Sequence, residues 1–319
     1  MTHTSIDAAA AKGSSIVGSR KTKALIEQIM QIVFIVCGLL AVFAVLLITI
    51  YMLISGAPAI GKIGLLEFLF GNVWSPGKDR YGILNLILAS IFGTFGAILV
   101  GVPIGVLTAV FLAELAPKSL RAVVRPAVEL LAGIPSVIYG LVGSILIVPF
   151  FAKLEKFFFL NSDTHIFTGG ANLLSAIVVL AIMILPTIVN VSETALRSVP
   201  REYKEASLAL GATHIQTIFK VLIPAGRSGI VTSIVLGVGR AIGEAMAIIL
   251  VAGNVANFPL PFNGVRFLTT GIVSEFSYSQ VGSLHREALF SIGLVLFFFI
   301  MIINIVLNTL LKKGVDQRG

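Results

Sequence analysis

Charge and cysteine are what this sequence is shortest of. Only 12% of its 319 residues are Asp, Glu, Lys or Arg, 57% are hydrophobic, and the mean hydropathy is +1.02. A soluble globular domain carries about 25% charged residues, so a soluble fold is excluded and a polytopic membrane protein is expected. The single cysteine, Cys37, lies in an apolar run; it excludes an intrachain disulfide and leaves the redox compartment undetermined. Histidine is scarce too. His3, His165, His214 and His285 are far apart and form no group with metal-ligand spacing, so no metal is expected. The same scarcity removes the acid–base or nucleophile cluster that a membrane-embedded enzyme needs, and a non-catalytic chain is expected. There is no P-loop either. Gly56-Ala57-Pro58-Ala59-Ile60-Gly61-Lys62 comes within one residue of one, but Ile63 stands where Ser or Thr would hold Mg²⁺, and no strand precedes it. The chain is therefore expected to carry no ATPase of its own.

What is abundant is apolar sequence in long runs. Six charge-poor stretches, roughly 29–54, 83–112, 130–151, 172–192, 229–252 and 288–311, are long enough to cross the hydrocarbon core as helices. The predicted class is all-α, polytopic, with six transmembrane helices. With the N-terminus inside, 15 of the 23 Lys and Arg fall in inner segments (the N-terminal tail, 118–125, 197–227 and 312–318) and 7 in outer loops, while Arg240 lies within a span. That bias puts both termini in the cytoplasm. The expected organisation is a mobile cytoplasmic tail at 1–28, a transmembrane domain at 29–311 and a short cytoplasmic tail at 312–319. A cleaved signal peptide is not expected, because the run after Glu27 is too long for one. In the outer loops, Trp74 is expected to anchor a turn at the membrane interface, and 152–171 to form an interfacial helix. Gly101 and Gly105 make a small-xxx-small pair that lets helices approach closely.

Three places break the apolar monotony. The third span contains Gly133-Ile134-Pro135-Ser136-Val137-Ile138-Tyr139-Gly140, where Pro135 predicts a helix break. Ser136 and Tyr139, three apart, share a face; they either satisfy carbonyls freed by the kink or line a pathway. The fifth span carries Arg240 about 16 Å from its start at 1.5 Å per residue, near mid-membrane. Burying Arg there costs roughly 2.5–3.5 kcal/mol on insertion scales. Glu244 is four residues on, expected on the same helical face. Either the two neutralise one another, or Arg240 offers its planar fork to an oxyanion while Glu244 orients it and offsets its charge. Charge alone does not choose among oxyanions. A passive anion channel could use Arg240 in the same way.

The third place is a polar elbow at 201–224. Pro200 suits a helix start, Gly211 a left-handed turn that ends it, and Thr213 with Gln216 a capping box that opens a second helix. Pro224 is expected just beyond that helix's end. Glu205-Ala206-Ser207, three residues, Gly211, nine residues, then Val221-Leu222-Ile223-Pro224 resemble the loop of ABC-importer permeases that reads Glu-Ala-Ala, three residues, Gly, nine residues, Ile-any-Leu-Pro. Ser207, Val221 and Ile223 are conservative departures. Together with Gly133–Gly140 and Gly237-Val238-Gly239-Arg240-Ala241-Ile242-Gly243-Glu244, the resemblance extends over about 29–311 to the PstC-type permeases of phosphate importers; Ala245 departs from the usual Thr.

This resemblance implies a type I ABC-importer permease in a bacterial or archaeal plasma membrane, with the elbow as the coupling helix. It implies a PstA-like second permease, two copies of a PstB-like ATPase that bind ATP and Mg²⁺, a PstS-like phosphate-binding protein and a phosphate-signalling regulator. It places the transport-critical Arg and Glu at Arg240 and Glu244, and the ATPase contact at Glu205, Ala206, Ser207, Gly211 and Pro224. A permease for molybdate, tungstate or sulfate is the alternative.

Overall fold

A computed structural model describes residues 20–160 and 165–316; the expected tail residues 1–19 and 317–319 lie outside it. The protein is helical, with one two-residue β-hairpin among the described residues. The chain divides at Ile54 and Ser55. Helix α1, Arg20–Ile63, crosses that boundary. It begins before the expected residue 29 and runs through the stretch expected as a loop from 55. Beyond the boundary, Ala59, Ile60 and Ile63 are packed in a core, which explains why the helix persists past Pro58. The P-loop-like stretch is thus helix, its N–H groups engaged in the helix ladder.

After α2, Leu65–Phe70, strands β1 (Trp74–Ser75) and β2 (Arg80–Tyr81) pair antiparallel. Helix α3, Leu84–Val110, leads to α4, Lys118–Gly133, α5, Ser136–Val142, and α6, Val148–Phe159. Helix α7, Leu173–Arg197, is followed by the short elbow helices α8 (Arg201–Ala209), α9 (His214–Thr217) and α10 (Ile223–Ala225). Helices α11, Arg227–Gly243, α12, Leu268–Phe276, and α13, Leu284–Asp316, complete the chain.

Among the described residues, five helical segments are long and apolar enough to cross a membrane: Ala24–Ile63, Leu84–Leu115, Ser136–Phe159, Leu173–Arg197 and Leu284–Val306. A sixth arises if His214–Ala225 and Arg227–Gly243, bent by 69°, count as one. The expected third span started at 130; it starts at Ser136, because Ile134 and Pro135 are extended (ψ 129° and 139°). Proline biases the residue before it away from helix. The residues before the break form α4 as a separate amphipathic helix with no buried side chain. The stretch expected as an interfacial helix begins inside α6, whose Glu155 is fully buried. That carboxylate accepts the Thr168 N–H at 2.8 Å and the Gly170 N–H at 3.2 Å, pinning the following loop to the helix end.

Helix α7 is the centre of the bundle, packed on α3 and α11. Its Ile184 and Ile188 occupy the space that side chains on Gly101 and Gly105 would need; the small pair brings α3 onto α7. Ser233 Oγ donates to the Ile230 carbonyl at 2.6 Å, so Ser192 Oγ, 2.7 Å away, is the donor that ties α7 to α11. Three π-turns have a common local cause. They cover Phe111–Leu115, Gly143–Ile147 and Ile218–Leu222, and each ends two residues before a proline: Pro117, Pro149 and Pro224. The residue before each proline reaches back five residues: Ala116 to Phe111, Val148 to Gly143, and Ile223 to Ile218. Proline lacks an N–H and its ring crowds the carbonyl four residues earlier; a wider turn relieves that conflict.

Candidate translocation site

Two helix breaks mark this region. The first is Ile134–Pro135, between α4 and α5. The second follows Gly243, where α11 ends and Glu244 is extended at φ −74°, ψ 131°. Expected spans treated 229–252 as one helix and put Glu244 on Arg240's face. The helix stops one residue too soon for that. Glu244 instead acts like an N-cap for the next turn, its Oε1 accepting the Ala247 N–H at 2.9 Å. Its carbonyl accepts from Thr269 Oγ1 at 2.6 Å, a clamp contributed by α12. The expected i,i+4 pair is therefore not formed.

Arg240, in the last turn of α11, is half-buried. Its Nη1 donates to Thr187 Oγ1 on α7 at 3.3 Å, and among the described residues no carboxylate pairs with it. The break after α11 packs on α5: a Cβ on Gly140 would lie 2.8 Å from both Cα and O of Ala247. This contact brings the Ser136–Gly140 turn to the Arg240 end of α11. Tyr139 Oη donates its proton to the Leu131 carbonyl at 2.6 Å, satisfying the last turn of α4. Ser136 opens α5 and is half-buried. Arg240, Ser136 and Tyr139 thus converge on one region, and Glu244 shapes its floor through the backbone. Thr187, Thr269 and Ala247 had no signal in the sequence, since each acts through a contact distant along the chain.

The elbow forms close to expectation. Gly211 has φ 83°, and Thr213 and Gln216 make the reciprocal capping box. Glu205 and Ala206 are exposed on α8, while Ser207 turns inward. Thr217 Oγ1 donates to the Thr213 carbonyl at 3.1 Å, so Ser207 Oγ is the donor across the 2.9 Å contact that joins the two elbow helices. Pro224 does not follow the second helix; the π-turn carries the helix through it to Ala225.

A further cluster was missed altogether. Glu275, on α12, forms an ion pair with Arg266, accepts Trp74 Nε1 at 2.9 Å and meets His285 Nε2 at 2.8 Å. Arg266 also holds the Asn254 carbonyl at 2.8 Å. Trp74, expected as an interface anchor, is committed to this hub, with Tyr81 and His285 rings against it at 5.5 and 6.2 Å. Burial and then the Asp79 hydrogen bond push the Tyr81 phenol above its ordinary value. Glu275→Gln should lower stability by about 2 kcal/mol, the scale of a hydrogen bond to a charged group. A lower thermal midpoint in detergent would check this, and an unchanged midpoint would mean that solvent already screens the hub.

The profile of the family described as "Binding-protein-dependent transport system inner membrane component" matches residues 101–317. The probable ABC transporter permease protein YqgH of Bacillus subtilis is 38% identical over 298 residues, covering 91% of this chain and 93% of that protein. The phosphate transport system permease protein PstC of Pasteurella multocida is 35% identical over 263 residues, 79% of this chain and 82% of that one. In fold the chain is similar to a bacterial alginate ABC transporter, solved in complex with an alginate pentasaccharide-bound periplasmic protein. That TM-score is 0.61 at 17% identity, over 90% of this chain and 96% of the other. The chain belongs to the binding-protein-dependent inner-membrane permease family: it is a multi-pass ABC-importer permease.

Proposed function

We propose that this permease is one half of the translocation path of an ATP-driven importer of inorganic phosphate. The observation that carries the reading is Arg240, a cation without a carboxylate partner among the described residues, in the last turn before one helix break and next to the α5 turn that follows another. A fixed guanidinium with free donors suits a tetrahedral oxyanion, and broken helices at depth are tolerated where they line a cavity or are buried in protein. Arg240 supplies the anion contact, Ser136 and Tyr139 line the path beside it, and Glu244 holds the break open. The name of the Pasteurella relative favours phosphate over other oxyanions.

The rest of the machine lies in other chains: a PstA-like permease, two PstB-like ATPases that bind ATP and Mg²⁺, and a PstS-like binding protein. A phosphate-signalling regulator is a further partner. Both termini and the elbow face the cytoplasm, where Glu205, Ala206, Ser207, Gly211 and Pro224 meet the ATPase. Closure of the ATPases pushes the elbow and switches the bundle between inward- and outward-facing forms.

Labelled phosphate uptake in vesicles holding all partners tests this. Phosphate should accumulate only with ATP and binding protein present, and molybdate, tungstate and sulfate should compete roughly 100-fold less well. Uptake without ATP would instead mean a passive anion channel. Preferential uptake of another oxyanion would overturn the substrate assignment alone.

A further inference from the structure

A cavity of about 540 Å³ lies at the base of the bundle, between the elbow helix α8, the π-turn that follows α3, the start of α4 and the end of α7. Its wall carries four cations, Arg121, Arg197, Arg201 and Lys204, and two acids, Glu114 and Glu205. Two of the cations are neutralised locally. Lys204 pairs with Glu114 at 2.5 Å, and Arg197 with the buried Glu193 at 2.7 Å. Arg121 and Arg201 have no carboxylate partner among the described residues. Arg121 is held by neutral groups, its Nη2 donating to the carbonyls of Ala113 at 3.2 Å and Ala116 at 3.3 Å. Its Nε–H is buried with no acceptor. An unsatisfied buried donor on a charged group is unfavourable by about 1–3 kcal/mol or more, a cost borne by a side chain whose guanidinium lines the cavity uncompensated by any carboxylate among the described residues. Arg201, on the exposed start of α8, lines the same cavity. Glu205, the remaining unpaired acid, lies one turn further along the same helix.

We propose that this cavity binds a phosphate group, through Arg121 from α4 and Arg201 from α8. Two forks on separate elements can share the oxygens of one tetrahedral anion. The volume falls within the 300–1,000 Å³ of small-ligand sites, so it admits inorganic phosphate or the headgroup of an anionic phospholipid. Because the ligand bridges α4 and α8, occupancy holds the elbow against the bundle. Its cytoplasmic location, and hence its effect on coupling, rests on the function proposed above; binding itself does not.

The test uses the assembled transporter carrying Arg240→Gln, which removes the pathway anion contact. In phosphatidylcholine nanodiscs open on both sides, labelled inorganic phosphate should bind saturably, and Arg201→Gln, at an exposed position, should weaken binding at least tenfold. Arg121→Lys, which keeps charge but loses the fork, should weaken it as well. In a second arm, complexes extracted from phosphatidylglycerol vesicles are weighed by native mass spectrometry. A retained phosphatidylglycerol that is lost in Arg201→Gln assigns the site to a lipid headgroup rather than free phosphate. If neither probe is held, or if either is held equally in both variants, the proposal is overturned. None of these outcomes depends on ATP-driven uptake, so a failed site and a failed transport assignment are distinguishable.

Discussion

Arg240→Gln is expected to lower ATP-driven phosphate uptake on the order of 100-fold, with the complex still assembling. The size follows from what the guanidinium does. A hydrogen bond to a charged group is worth about 1.5–3 kcal/mol, and each 1.4 kcal/mol is about tenfold; the loss of two donors from one anion approaches the upper figure. Assembly should survive because, among the described residues, Arg240 makes a single side-chain hydrogen bond, the 3.3 Å bond to Thr187. Arg240→Lys keeps the charge without the planar fork and should fall between the two. Glu244→Gln separates the two accounts of this region. If Glu244 served to neutralise Arg240, removing its charge would be as damaging as removing the arginine. The geometry gives it another task, accepting the Ala247 N–H, which the amide oxygen of Gln can still do. Its uptake should stay within about threefold of wild type, the equivalent of less than 1 kcal/mol. Labelled uptake by the three variants decides it, and an Arg240→Gln protein that transports normally would make the arginine a structural charge only.

The difference between what was legible in the sequence and what was not follows the range of the causes. The elbow was legible because its determinants are local. Pro200, Gly211 and the Thr213–Gln216 box each act within a few residues, and the structure has helix, left-handed turn and capping box where they imply. The break at Pro135 was legible for the same reason. The end of α11 was not. Gly243, where α11 ends, is only a weak local signal, since glycine within a helix costs about 1 kcal/mol, and the i,i+4 inference assumed that the helix continued. It ends because Thr269 takes the Glu244 carbonyl from 25 residues away and Gly140 admits the Ala247 backbone against α5. The partner of Trp74 was equally illegible: its indole suits a membrane interface by composition, but that its N–H is taken by Glu275, 201 residues further on, has no local signal. Pro224 was read as a stop because a proline usually ends the helix before it; the π-turn over Ile218–Leu222 shows how a helix accommodates one.

Charge reversal at Glu205 should abolish ATP-coupled uptake, to below about 1% of wild type, while leaving folding stability within about 0.5 kcal/mol, as exposed substitutions usually do. The two halves have different origins. Stability is spared because α8 has no buried side chain, and Glu205 is exposed with no ion pair among the described residues. What fixes α8 in place lies elsewhere, in the Ser207–Thr217 contact and the Lys204–Glu114 pair. Uptake is expected to be lost because Glu205→Lys replaces an acid with a base on the exposed face proposed to meet the ATPase, where Arg201 is one turn away and Glu202 is the acid that remains. Like charges at that spacing repel within the helix only weakly, whereas an unmatched charge at a docking surface costs several kcal/mol. Glu205→Ala removes the contact without adding repulsion and should be milder, with uptake partly retained. The decisive measurement is uptake and ATP hydrolysis on the same vesicles. Stimulation of hydrolysis by the loaded binding protein should disappear together with uptake if the elbow carries the signal between them. Preserved uptake in the charge-reversed protein would mean that the ATPase grips the permease elsewhere, and that the elbow's motif spacing serves only to turn the chain between α7 and α11.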